Sequence, residues 1–277
     1  MNSELQTSTY RYLLGFIGAG KLAGSVIRGL IRSNFCLPNE IIAGEPSDEA
    51  CAALRKDVGI ATTAKGAEAA QNAGIIFIGV KPGVVLPVLR EIAPHIENKL
   101  VISLAAGIRL TGMEAVAGAR FMRALTNTPS AICAAATGFA RGSRSTDQDV
   151  HLIQGIFGAV GVAVEVSEDQ IDAVTALSGS GPAFVYTVIK ALAEGGEKCG
   201  LSAEAAMKLA AQTVLGAARL AIESAKTPEE LIRMVVTPGG TTAAGLAEME
   251  KFGTAKSLIA AVEAATKRGQ EMAKENP

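Results

Sequence analysis

Hydrophobic and polar positions follow two different regimes along this chain. Up to about residue 167, short apolar runs at 12–17, 40–44 (EIIAG), 59–62, 75–80 (IIFIGV), 100–104 (LVISL), 120–125, 131–141 and 160–166 read as strands. Several lack any alternation, as expected of parallel strands covered on both faces. Between them, Leu22, Val26, Ile27, Leu30 and Ile31 recur at helical spacing. Further helices are expected at 47–56, 67–72 and 146–157, the first of these opened by Ser47 ahead of Asp48 and Glu49. From Glu168 onward the strand signal stops. Helices are predicted at 168–177, 182–199, 202–225, 228–236, 241–251 and 254–274, with Gly200 and Gly253 as breakers. Strands alternating with helices imply a doubly wound α/β sheet over 1–167, and an all-helical region over 168–277.

The first strand runs into Gly18-Ala19-Gly20-Lys21-Leu22-Ala23, a G-x-G-x-x-A pattern between strand and helix. Gly18 can take the positive φ of the turn, Gly20 leaves no side chain between backbone and ligand, and Ala23 lets the helix pack close to the strand. The helix start then offers unpaired N–H groups and a positive dipole end to an anion such as a pyrophosphate. This is a Rossmann-like dinucleotide site, with Ile17, Gly18, Ala19, Gly20, Lys21, Leu22 and Ala23 as its residues. Glu45 stands just past the second strand, where an acidic side chain takes the adenosine ribose hydroxyls of NAD; the competing reading is a solvated loop carboxylate. Gly79, Val80, Lys81 and Pro82 close the strand at 75–80, and Leu104, Ala105 and Ala106 close the one at 100–104. Both lie at carboxyl edges, where open α/β sheets bind ligands. Pro82 holds Lys81 at the rim, near a cofactor's phosphates or carboxamide or simply in solvent.

Composition narrows the chemistry. Aromatic residues are only 4% and Trp is absent, so a core must be built from Ala, Val, Ile and Leu. A net charge of −1 gives no electrostatic reason to expect nucleic acid or an anionic membrane. Cys36, Cys51, Cys133 and Cys199 are scattered without metal-ligand spacing, so reduced thiols and no metal are expected. The first residues lack a signal-peptide pattern, 2–9 read as a frayed leader, and no run is taken to reach membrane length; the expectation is a cytoplasmic protein. His95 and His151 are the only histidines, and neither stands in a catalytic pattern. The face of Ala206, Leu209, Ala210, Thr213, Val214 and Ala217 is wide for a monomer, which suggests packing on another subunit.

Two Gly-rich stretches remain: Leu177-Ser178-Gly179-Ser180-Gly181-Pro182, and Val236-Thr237-Pro238-Gly239-Gly240-Thr241-Thr242. The second is a rigid turn into a helix N-terminus, suited to a carboxylate, although each alone also reads as an interhelical turn. With the G-x-G loop, Val80-Lys81-Pro82-Gly83, Ser103 to Gly107 and Thr126-Asn127-Thr128-Pro129, they make the chain resemble the pyrroline-5-carboxylate reductases; Pro238 to Thr242, with Leu246 and Glu250 behind, is the most specific match. The resemblance implies a Rossmann domain and a helical dimerisation domain, with assemblies built from homodimers up to a decamer of five. It implies reduction of the C=N bond of L-1-pyrroline-5-carboxylate to L-proline by hydride from NADPH or NADH. It further implies that Thr242 is the catalytic residue, hydrogen-bonded to the ring nitrogen, that Gly240 and Thr241 offer amides to the carboxylate, and that Glu168 lies near the substrate. Glu45 stands where many members carry a small hydroxyl residue, and so favours NADH. Met234 and Gly74 also depart from the family's pattern. A β-hydroxyacid dehydrogenase type of reductase is the nearest rival, but Val185 stands where those enzymes carry a lysine.

Overall fold

The computed structural model describes residues 10–275, so the leader expected at 2–9 lies outside the described residues. Contacts divide the chain into two compact units, one running to Ser180 and resuming at Glu263, the other Gly181–Val262. Patterning alone changes at 167/168. The two boundaries differ because the helical residues just after 168 pack on the sheet: Ile171 is fully buried.

The first unit holds an eight-stranded sheet of β1 (Tyr12–Ile17), β2 (Ile41–Gly44), β3 (Ala61–Thr63), β4 (Ala73–Ile78), β5 (Leu100–Ser103), β6 (Arg120–Leu125), β7 (Ala135–Arg141) and β8 (Gly161–Glu165). Its order is β3-β2-β1-β4-β5-β6-β7-β8, so the direction of winding reverses between β1 and β4. All neighbours are parallel except β6 and β7. That pair is joined by a short 3-10 turn, Thr128–Ile132, instead of a crossover helix, and a connection this short permits only an antiparallel return.

Helices α1 (Lys21–Arg32), α2 (Asp48–Val58), α3 (Gly66–Asn72), α4 (Val85–Ile96), α5 (Leu110–Glu114), α6 (Asp147–Gly158) and α7 (Ile171–Val174) surround the sheet. One core lies under α1, α2 and α6, where Phe16 and Phe77 stack with centroids 4.6 Å apart. The other lies under α3, α4 and α5. Helix α4 is unread in the sequence because its pattern carries Pro87 and Pro94, yet the helix runs unbroken, with Pro87 in its first turn and Val85, Leu89, Ile92 and Ile96 as a buried stripe.

The second unit contains α8 (Gly181–Lys198), α9 (Ala203–Glu223), α10 (Pro228–Val235), α11 (Thr241–Lys251) and the start of α12 (Thr254–Glu275). Its core is small: Ala193, Ala206 and Ala210, with Ile189 against them. Leu209, Leu215, Leu220 and Ile222 of α9 are all exposed. One expectation is corrected here: α9, with a mean hydropathy of 1.2 over its most apolar stretch, is long and apolar enough to cross a membrane by length and composition. Alanine accounts for much of that value, and Glu204, Lys208, Arg219 and Glu223 lie along the same helix.

Candidate active site

The winding reversal puts the carboxyl ends of β1 and β4 side by side, and two glycines let their backbones meet. Gly79 N–H donates to Ile17 O at 2.8 Å, and a Cβ on Gly79 would lie 2.5 Å from Gly18 O and 2.8 Å from the Ala23 Cβ. Gly18 has φ +82°, and a Cβ there would stand 2.6 Å from Val80 Cγ1. Gly20 has the opposite environment, with nothing within 4 Å of its Cβ position. As the N-cap of α1 it supplies no side chain to the first-turn amides. A tight turn, an open approach and an uncapped helix start are what a pyrophosphate requires, so these residues fit a dinucleotide.

Glu45 is fixed in place. Its Oε2 accepts from Ala19 N at 3.1 Å, its Oε1 from Ser47 N at 3.3 Å, and the residue is half-buried. The carboxylate therefore lies against the glycine loop instead of in solvent. Lys81, by contrast, is exposed, at the entry to the turn Pro82–Val84. Leu104 and Ala105 are buried beyond β5; Leu104 N donates to Ile78 O at 2.9 Å and Ala105 N to Ser103 Oγ at 3.3 Å.

Beyond these lies a charge cluster that the sequence pattern does not single out. Arg123 on β6 is fully buried, and its Nη1 donates to Glu168 Oε1 at 2.8 Å. The same oxygen accepts from Leu110 N at 3.1 Å, while Arg109 Nη2 reaches Asp172 Oδ2 at 2.9 Å. Glu168 is thus placed on Arg123 and the α5 amide. The available signal was a charge inside an otherwise apolar strand, RFMRAL.

In the second unit, Gly239 takes φ +69° and Gly240 caps α11, where a Cβ would crowd the Thr237 carbonyl at 3.1 Å. Gly240 N donates to Thr237 O at 3.0 Å within the turn. The amides of Thr241 and Thr242 open the helix and have no intrahelical acceptor. Thr242 is half-buried and Thr241 exposed. The other Gly-rich stretch spans the division between units. Its Ser178 carbonyl accepts from Asn127 Nδ2 at 3.0 Å, and Ser178 Oγ donates to Val174 O at 3.0 Å.

Residues 168–272 match the family model "Pyrroline-5-carboxylate reductase dimerisation", and 13–107 match "NADP oxidoreductase coenzyme F420-dependent". The pyrroline-5-carboxylate reductase of Pisum sativum is 41% identical over 263 residues, covering 94% of this chain and 96% of that protein. The chain belongs to the pyrroline-5-carboxylate reductases. Solved structures agree: the Coxiella burnetii reductase superposes with a TM-score of 0.86 at 36% identity, over 95% of this chain and 98% of that one. The Plasmodium falciparum pyrroline carboxylate reductase with NADP bound gives 0.87 at 29%, over 96% and 100%. This pyrroline-5-carboxylate reductase is accordingly an NAD(P)H-dependent oxidoreductase of proline biosynthesis, reducing L-1-pyrroline-5-carboxylate to L-proline. Its Rossmann-type domain precedes a helical dimerisation domain, which implies a homodimer.

Proposed function

We propose that residues 1–167 hold the dinucleotide and 168–277 provide dimerisation and the substrate loop. The observation that carries the first half is the open, uncapped α1 start at Gly20. The amides of Lys21, Leu22 and Ala23 would face the pyrophosphate, with Ile17, Gly18 and Ala19 forming the turn beneath it. Gly79, Val80, Lys81, Pro82, Leu104, Ala105 and Ala106 would border the nicotinamide end. The bound dinucleotide supplies the hydride for the imine carbon. The chain itself orients the substrate: Thr242 Oγ1 partners the ring nitrogen, and the α11 start, with the Thr241 amide, receives the carboxylate. An imine nitrogen that is already protonated needs a hydrogen-bond partner and no proton donor, which accords with a chain whose two histidines lie on α4 and α6 and not at the α11 loop. Glu168, its Oε1 spent on Arg123 and Leu110, bears on the substrate by fixing the chain at the start of the second region.

The fixed position of Glu45 supports NADH as the preferred cofactor. A 2′-phosphate beside that carboxylate would cost about 1–3 kcal/mol, about five- to a hundredfold in affinity. Release of the hydrogen bonds from the Ala19 and Ser47 amides would be needed before Glu45 could move aside and Ser47 receive the phosphate. The same reading has the enzyme in the cytoplasm, as homodimers able to assemble into a decamer. Imine-dependent oxidation of NADH and NADPH tests both assignments. Thr242→Ala is expected to lower kcat/KM for the imine by about ten- to a hundredfold, the worth of a charged hydrogen bond, with cofactor affinity hardly changed. Wild-type kcat/KM in that variant would remove Thr242 from the ring nitrogen. For Glu45→Ser the ratio of NADH to NADPH efficiency should fall, and an unchanged ratio would remove Glu45 from the ribose site.

A further inference from the structure

The chain between β5 and α5 begins on the sheet and ends off it. Leu104 N extends the β4–β5 ladder by one bond, to Ile78 O at 2.9 Å, and the backbone then leaves the sheet through Gly107, at φ +69°. Ala105, Ala106 and Gly107 have side chains too small to anchor this stretch. Its far end is held instead from the segment 168–172. Glu168 Oε1 accepts from Leu110 N at 3.1 Å, while Arg109 donates through Nη1 to Glu168 O at 3.3 Å and through Nη2 to Asp172 Oδ2 at 2.9 Å. The end of α12 backs both partners: a Cβ on Gly107 would stand 2.9 Å from Met272 Cβ, and one on Gly269 would stand 3.3 Å from Asp172 Cβ. All of these residues belong to the first compact unit.

Arg109 is the residue on which this arrangement turns. The Asp172 side chain is only 2% exposed, its Oδ1 has no partner among the described residues, and Arg109 is the cation paired with it there. A carboxylate so buried holds its countercharge firmly, because the alternative is an unpaired charge in a low dielectric. The guanidinium fork makes the hold directional, since one nitrogen on a carboxylate and another on a backbone carbonyl fix orientation as well as distance. Ala106 lies three residues before Arg109, and with Gly107 closed against Met272 the backbone between them has little room to move. At a hydride donor, a displacement of about 1 Å can cost about a hundredfold in rate. We propose that Arg109 is a positioning residue for hydride transfer: braced on Asp172 and Glu168, it holds Ala105 and Ala106 against the nicotinamide end of the dinucleotide. This rests on the reading that Leu104, Ala105 and Ala106 border the nicotinamide.

ADP-ribose shares the adenosine and pyrophosphate of NADH but lacks the nicotinamide, so it separates positioning at one end of the cofactor from damage to the whole site. Arg109→Met should lower the single-turnover rate of hydride transfer from NADH to the imine by about tenfold, while affinity for ADP-ribose by titration calorimetry stays within about twofold. A folded variant with the wild-type transfer rate overturns the proposal, and so does a loss of ADP-ribose affinity as large as the loss of rate. Should Arg109→Met fail to fold, Arg109→Lys decides: it keeps a charge for Asp172 but not the fork, and should slow transfer by about threefold or more with ADP-ribose affinity kept. Wild-type transfer in the lysine variant then overturns the proposal. Ala106→Val, measured in the same way, tests the reading beneath. Slower transfer with ADP-ribose affinity unchanged supports the placement of the loop. Wild-type transfer removes the loop from the nicotinamide and takes the proposal with it, whereas an effect of Ala106→Val with none of Arg109→Met sinks the proposal alone.

Discussion

Arg123 shows how much one side chain can hold together. Its guanidinium is fully buried with a single protein partner, and Nε and Nη2 have none among the described residues. Deleting it leaves Glu168 without its countercharge, held by the Leu110 amide alone, with Oε2 buried and unpaired among the described residues. Arg123→Met is therefore expected to destabilise by about 3 kcal/mol, the lower end for a broken buried pair because Glu168 is a quarter exposed. Arg123→Met with Glu168→Leu should recover most of that, since neither charge is then left alone. Urea unfolding of both variants checks it, and a single-variant loss below about 1 kcal/mol would show that the cluster is not a structural pair. Residues of this kind are hard to read in a sequence, because a basic residue in a strand looks like a solvent-facing position. Gly18 and Gly20 are legible because their use is dictated by the backbone itself, through a positive φ and an open approach. Gly240 is legible as a turn residue, but its amide's partner becomes visible only when the turn is built. Gly74 gains a partial account: a Cβ there would meet the Tyr10 ring at 3.3 Å, and Lys99 Nζ stands 4.0 Å from that ring's centroid.

At the scale of elements, α6 is pinned by one carboxylate serving two purposes. Asp149 forms a capping box with Thr146 and takes Arg120 in a bidentate pair, Nε to Oδ2 at 2.9 Å and Nη2 to Oδ1 at 3.0 Å. Burial alone would raise its pKa, but the Arg120 and Thr146 hydrogen bonds outweigh burial and hold it below the ordinary 3.8. The sign follows from linkage. With the folded value depressed, the contribution is fully present above 3.8 and is lost as pH falls through the folded value. Unfolding free energy measured across that acid range should fall less steeply in Asp149→Asn than in the wild type. Parallel slopes would mean that the pair adds nothing specific to folding. Thr146 and Asp149 also made α6 readable in the sequence, since caps are local. The antiparallel turn from β6 to β7 was not, because strand direction depends on how the whole connection packs.

The whole molecule raises a question of exposed area. Within Gly181–Val262 the buried apolar core is three alanines, while Tyr186, Leu192, Leu209, Leu215, Ile222 and Val235 are each at least half exposed. So many exposed apolar side chains over so small a core are expected of a surface that packs on a partner, and the breadth of the α9 face, already evident in the periodicity, has its physical counterpart here. Which partner surface covers each residue is not encoded in the period, and so could not be read from the sequence. Folding of this unit should consequently be linked to association. The helical signal and the dimer should be lost together on dilution, and the unfolding temperature should rise with protein concentration, since a dimer that shares its core gains stability by mass action. Sedimentation of a compact, fully helical 28.3 kDa species at micromolar concentration would show that the three-alanine core suffices alone, and would overturn the linkage.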